Sequence, residues 1–139
     1  MNPARWLLFL VVAALALACR QGPPEPQEPV WGKQACAHCA MLVSRPESAG
    51  QYADTQGEVW FFDDLGCLVA WQAEHPAKPG DLAWARQGKE WREVGTAHYS
   101  GGHPTPMDFG FVADPAGTAS WTDVQQAVQQ RLKAPALGR

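Results

Sequence analysis

The sequence predicts a small α+β domain in which short strands are mixed with two helices. Three observations support this fold class. Apolar residues recur at helical spacing in two separate stretches, around residues 65–72 and 122–132. Short segments rich in aromatic and branched residues lie between these stretches, as is typical of strands. The chain has only 139 residues, so its length fits one domain of this kind.

The first residues have the pattern of an export signal. Met1–Arg5 carry a positive charge and Trp6–Ala18 is almost wholly apolar. About 20 apolar residues are needed to span a bilayer, so residues 1–18 are predicted to be a signal peptide. Cys19 ends this run in a lipobox-like sequence, although Ala16 replaces the usual leucine. We expect Cys19 to be lipidated and to anchor the protein at the periplasmic face of a membrane or at the cell surface. The alternative is an ordinary secreted protein.

A proline-rich segment separates the predicted anchor from the predicted domain. Four prolines fall within residues 20–29, so residues 19–29 are expected to form an extended tether. The folded domain is predicted at residues 30–135, and residues 136–139 form a short tail. The formal net charge of −3 gives no basic surface for nucleic acid, so we expect no nucleic-acid partner.

The first half of the domain is predicted to be a hairpin followed by a helix. Strands are predicted at residues 51–52 and 58–62, on either side of a glycine-containing turn. Asp63 or Asp64 can then cap a helix that ends before Pro76. The predicted apolar stripe of this helix consists of Leu65, Leu68 and Val69.

The second half is predicted to contain three more strands and a last helix. Two strands are expected at residues 81–86 and 90–94, and strict alternation predicts another at residues 107–113. Thr122–Gln125 fits a capping box, and Pro135 would end the helix that follows. The predicted buried face of that helix is Val124, Ala127, Val128 and Leu132.

The strongest chemical signal is the segment Cys36-Ala-His-Cys39-Ala-Met41. We expect this segment to lead into a short strand at Leu42–Val43. Side chains two residues apart in an extended chain point the same way, so Cys39 and Met41 would present a thiolate and a thioether together. Soft ligands of this kind select Cu(I), whereas methionine has little to offer Zn²⁺. Cys36 would join them through a turn.

Other chemistries use the same cysteines. Cys36 and Cys39 could form a disulfide after export, or act as a thiol–disulfide redox pair. They could also join Cys67 and one histidine in a structural Cys₃His zinc site. The Cu(I) interpretation does not need Cys67. Asp63 and Asp64 could also contribute to a metal site, but helix capping explains them without it.

A second source of ligands is a downstream loop at residues 98–107, rich in glycine and proline. Met107 is a candidate metal ligand, and its alternative is packing in the core. The less certain candidates are His98, His103 and His38, the last of which lies inside the cysteine motif. A solvated loop residue or a turn residue is the alternative interpretation of these histidines.

These motifs together resemble the NosL family of lipoproteins, which are accessory factors in nitrous oxide reductase maturation. The resemblance rests on the lipid cysteine, the tether, the Cys-x-x-Cys-x-Met motif, the Trp60–Trp71 segment and Pro106–Met107. It implies a Cu(I) chaperone rather than an enzyme, with apo nitrous oxide reductase or its maturation machinery as partner. It also implies two ββαβ-like units, similar to the organomercurial lyase fold.

The resemblance also suggests roles for individual residues. Cys39 and Met41 match the family's ligand pair, and Met107 matches the methionine of its second loop. Asp108 replaces the glycine that follows that methionine, and the second unit is trimmed. Cys67 lies where members often lack a cysteine, so it is either incidental or part of a second site.

Overall fold

A four-stranded antiparallel sheet forms the centre of the protein in a computed structural model that describes residues 22–134. The strand order is β2-β1-β3-β4. The strands are β1 (Gly50–Ala53), β2 (Val59–Phe62), β3 (Leu82–Gln87) and β4 (Glu90–Glu93). The predicted signal peptide, Cys19 and the predicted tail at 136–139 lie outside the described residues.

Two helices and a smaller sheet complete the fold. They are α1 (Leu65–Glu74), α2 (Trp121–Lys133), a 3₁₀ helix at Pro46–Ser48, and a two-stranded sheet of β5 (Tyr99–Ser100) and β6 (Val112–Ala113). The predicted small α+β domain is confirmed, while its likeness to the organomercurial lyase fold stays a prediction. Within residues 22–134, neither helix has the length and the apolar character that crossing a membrane would require.

The β1–β2 hairpin follows from its turn sequence. Asp54 accepts hydrogen bonds from the backbone N–H groups of Gln56 and Glu58. Gly57 adopts a φ of +87°, a conformation that glycine reaches without steric cost. The hairpin brings Tyr52 opposite Trp60.

Helix α1 is buried on two sides. Its Leu65 and Val69 pack with α2, whereas Leu68 and Trp71 pack with the sheet. Cys67 is not a member of the predicted apolar stripe, yet it is 0% exposed and belongs to the sheet-side core. A stripe of three apolar residues therefore describes only part of the buried surface of this helix.

The predicted strand at residues 107–113 is wrong over most of its length, because only Val112–Ala113 pairs. Asp108 and Gly110 both have positive φ, +58° and +84°, which turns the chain instead of extending it. The N–H of Asp108 donates to the carbonyl oxygen of Thr105 (2.9 Å), closing a turn.

Two other local predictions also need correction. The capping box of α2 is formed by Ser120 and Asp123, two residues before the predicted one. The predicted strand at Leu42–Val43 is reduced to an isolated bridge between Ala35 and Leu42.

The proline-rich segment lies against the sheet from residue 27 onwards. The side chain of Gln51 is fully buried and exchanges two hydrogen bonds with the backbone of Gln27, at 2.8 and 3.0 Å. Arg86 forms an ion pair with Glu28. The predicted role of this segment as a tether stays a prediction.

Candidate metal centre

The cysteine motif folds into a tight loop. The N–H of Ala40 donates to the carbonyl oxygen of Cys36 (3.0 Å), and the N–H of Cys36 donates to the carbonyl oxygen of Met41 (2.7 Å). Ala40 has a φ of +64°, a left-handed conformation that non-glycine residues rarely adopt. The extended geometry predicted for Cys39 and Met41 is therefore wrong. Backbone strain of this kind concentrates at functional sites.

The end of β2 and the start of α1 both meet this loop. The N–H of Ala37 donates to the carbonyl oxygen of Phe61 (2.9 Å), which ties the loop to the end of β2. Asp63 follows β2 directly, and Cys67 lies in the first turn of α1. The result is a group that we call the thiol cluster: Cys36, Cys39, Asp63 and Cys67. Their donor atoms all lie within 4.8 Å of one another.

The thiol cluster fits a metal-binding role. Tetrahedral zinc with Zn–S bonds of about 2.3 Å would place its sulfur ligands about 3.8 Å apart. Donor atoms already within 4.8 Å need only small side-chain shifts to reach that spacing. Cys36 and Cys67 are buried at 3% and 0% exposure, whereas Cys39 is half-buried. The cluster therefore has a closed interior and a single more accessible thiol.

The two adjacent aspartates, Asp63 and Asp64, have different hydrogen-bond partners. Asp64 is the N-cap of α1, and its two carboxylate oxygens accept from the N–H groups of Gly66 (2.8 Å) and Met107 (3.0 Å). Asp63 is equally buried, and its Oδ1 accepts from the Cys39 thiol (3.3 Å). Among the described residues, its Oδ2 has no hydrogen-bond partner. A buried carboxylate oxygen without a partner is costly, and a metal ion beside the thiols would satisfy it.

The protonation of the thiols is uneven. The Cys67 thiol and the backbone N–H groups of Cys39 and Asp63 hydrogen-bond to the sulfur of Cys36 and lower its pKa. The pKa of Cys67 is raised, because its proton is held by Cys36 and because it is buried. Burial raises the pKa of the Cys39 thiol. The hydrogen bonds to the Cys36 sulfur, from Cys67 first, lower the pKa of Cys36 and so favour its thiolate, the form that binds a metal ion.

The methionine and histidine candidates lie nearer the surface. The side chains of Met41 and Met107 are 48% and 40% exposed. All three candidate histidines are exposed, and none belongs to the thiol cluster within residues 22–134: His38, His98 and His103. The ligand roles of these residues and of the two methionines stay predictions.

Two members of the thiol cluster, Asp63 and Cys67, are not among the ligands that the sequence predicts for Cu(I). Asp63 was attributed to helix capping, although one cap needs only Asp64. In the sequence, Cys67 is a ligand only in the zinc alternative, and the NosL resemblance leaves it either incidental or part of a second site. A signal was present in the sequence, because Cys67 follows Asp63 by four residues at a strand–helix junction. That spacing corresponds to about one helical turn.

No protein-family model, no curated protein and no solved structure matches the chain. The resemblance to the NosL family therefore rests on the motifs in the sequence alone. What the fold adds is independent of that resemblance: a buried thiol–carboxylate cluster whose geometry fits a metal ion.

Proposed function

We propose that this protein is an exported, lipid-anchored metallochaperone that carries Cu(I) on Cys36, Cys39 and Cys67. The observation that carries the proposal is the convergence of three thiols within 4.8 Å. Three soft thiolate donors favour Cu(I) strongly over hard cations such as Mg²⁺ or Ca²⁺. The ion is cargo here, so the site must release it as well as hold it.

The uneven burial of the thiols supports a carrier role. Cys36 and Cys67 are buried, whereas Cys39 is half-buried and lies two residues before the exposed Met41. An acceptor thiol can therefore approach the ion from the Cys39 side without unfolding the core. Met41 offers a thioether on the same loop, a soft donor that could hold Cu(I) during entry or exit.

The location and the recipient rest on the sequence. The apolar run before Cys19 supports export and lipid anchoring. The motif resemblance supports apo nitrous oxide reductase, or its maturation machinery, as the recipient. Cys19→Ala should move the protein from the membrane fraction to the soluble fraction. If the variant stays in the membrane fraction, the anchor is assigned to the wrong residue.

A structural zinc site is the second candidate, favoured by Asp63. Zinc accepts a carboxylate oxygen at about 2.0–2.2 Å together with thiolates, and a Cys₃Asp set would fill its four positions. A carboxylate has much less affinity for Cu(I). The unpartnered oxygen of Asp63 is thus the feature that the copper proposal explains least.

Competition titrations distinguish the two candidates. The full chain is titrated anaerobically under reducing conditions with Cu(I) against a chromophoric Cu(I) chelator, and separately with Zn²⁺ against a zinc chelator. The proposal predicts one Cu(I) per chain, and rapid transfer of that Cu(I) to an apo acceptor peptide with two cysteines. Tight zinc binding that Cu(I) does not displace, with no transfer, would instead establish the structural zinc site.

A further inference from the structure

A second concave site lies at the other end of the β1–β2 hairpin from the thiol cluster. It is a cleft of about 460 Å³ between the hairpin turn and the C-terminal end of α1. Its volume falls in the range of small-molecule sites, about 300–1,000 Å³. The thiol cluster lies at the start of α1, so the two sites are separated by the length of the helix.

Aromatic rings form one wall of this cleft. Tyr52 and Trp60 are cross-strand partners with ring centroids 5.8 Å apart, and each lies 5.2 Å from the ring of Trp71. His75 stacks on Trp71 at 4.2 Å. Tyr52 and Trp71 are buried, but Trp60 is only half-buried, so its ring can be reached from the cleft. Indole faces attract cations through their quadrupole.

The charges around the cleft also favour a cation. Three carboxylates line it against one ammonium group: Asp54, Glu58 and Asp81 against Lys78. Asp81 is held by the hydroxyl of Tyr52 and by the N–H of Lys78. Glu58 is exposed and forms no ion pair within the described part of the chain. The C-terminal end of α1 adds the negative end of a helix dipole.

We propose that this cleft binds an organic cation of the alkylammonium class, with the charged group over Trp60 and near Glu58. A bare metal ion would find no set of converging donors here, because the carboxylates of Asp54 and Asp81 are already used by hydrogen bonds. Aromatic rings next to unneutralised carboxylates suit a bulky, weakly hydrated cation. Such a group could come from a free small molecule or from a lipid headgroup.

Choline chloride is the first probe. Tryptophan fluorescence of the full chain is followed during titration, with sodium chloride added to keep ionic strength constant. We expect saturable binding, weakened about tenfold by Trp60→Leu and about threefold by Glu58→Gln. Trp91→Leu, outside the cleft, is the matched control and should leave binding unchanged. 3,3-Dimethylbutan-1-ol, a neutral isostere of choline, should bind at least tenfold more weakly.

A second arm identifies the source of the cation. Vesicles of phosphatidylcholine or of phosphatidylglycerol are added to the choline-loaded protein. If only phosphatidylcholine vesicles release the choline, the ligand is a lipid headgroup. If the protein keeps its choline with either kind of vesicle, the ligand is a free small cation. The proposal is overturned if choline does not bind, if the neutral isostere binds equally well, or if Glu58→Gln and Trp60→Leu both bind choline as tightly as the unaltered chain.

Discussion

The thiol cluster and the downstream loop (residues 98–107) both carry candidate metal ligands, but these ligands differ in burial and in hydrogen bonding. In the cluster, two thiols and a carboxylate are buried, and one oxygen of Asp63 has no partner among the described residues. In the loop, the candidate ligands His98, His103 and Met107 are exposed to solvent. His103 hydrogen-bonds to Ser100 (2.8 Å), and Thr105 accepts from the N–H of Gly110 (2.9 Å).

This difference distinguishes a preformed metal site from a loop that only contains residues able to bind a metal. Soft or basic residues in a loop are common, and exposure leaves them solvated at little cost. A buried polar atom without a partner costs about 1–3 kcal/mol, so the unpartnered oxygen of Asp63 among convergent thiols fits a metal-binding role. The following substitutions test that distinction, starting with the largest expected effect.

Loss of Cys67 should have the largest effect. Cys67→Ser removes a buried thiol from the cluster, and we expect affinity for both Cu(I) and Zn²⁺ to fall at least about 100-fold, since even outer-shell changes cost about 10–100-fold. Anaerobic chelator competition measures both affinities. If Cys67→Ser binds Cu(I) normally, the copper ligands are Cys36, Cys39 and a methionine, as the sequence motif alone predicts.

The aspartate pair should separate binding from stability. Asp63→Asn should weaken Zn²⁺ at least about tenfold and Cu(I) much less, while changing the free energy of unfolding of the metal-free protein by under about 1 kcal/mol. Asp64→Ala should instead lower the free energy of unfolding by about 1 kcal/mol, because the helix cap is lost, and should leave the zinc affinity nearly unchanged. Denaturant unfolding and zinc titration report the two quantities. If the two variants change the zinc affinity equally and the free energy of unfolding equally, Asp63 is not a zinc ligand.

Met41 should have an intermediate effect. Its side chain is 48% exposed on the loop that carries Cys39, so Met41→Ala should weaken Cu(I) by up to about tenfold and leave Zn²⁺ unchanged. The same competition assay detects this. A loss of zinc affinity as large as that of Cu(I) would mean that the substitution disturbs the loop and not a ligand.

The downstream loop should show the smallest effect. Met107→Ala and His103→Ala change exposed side chains that lie outside the cluster, and we expect less than about a threefold change in either affinity. Titration of the double variant makes the test stricter. A tenfold loss of Cu(I) affinity would place the loop at the metal site, and the difference proposed here between the loop and the thiol cluster would be wrong.

The sequence predicts elements whose signal is local. The hairpin turn and the helix that begins after Asp64 depend on short-range hydrogen bonds, and both are present. The strand predicted at 107–113 fails because alternation cannot reveal the positive φ of Asp108 and Gly110. The burial of Cys67 was missed because α1 packs on two sides, which one apolar stripe cannot indicate.

X-ray absorption spectroscopy of the metal-loaded full chain tests the central claim most directly, because it counts the donor atoms around the ion. The account predicts one ion per chain with three sulfur donors. For zinc, it predicts sulfur at about 2.3 Å and one oxygen at about 2.0–2.2 Å. A first shell of nitrogen and oxygen with one sulfur or none would contradict the thiol cluster as the metal site.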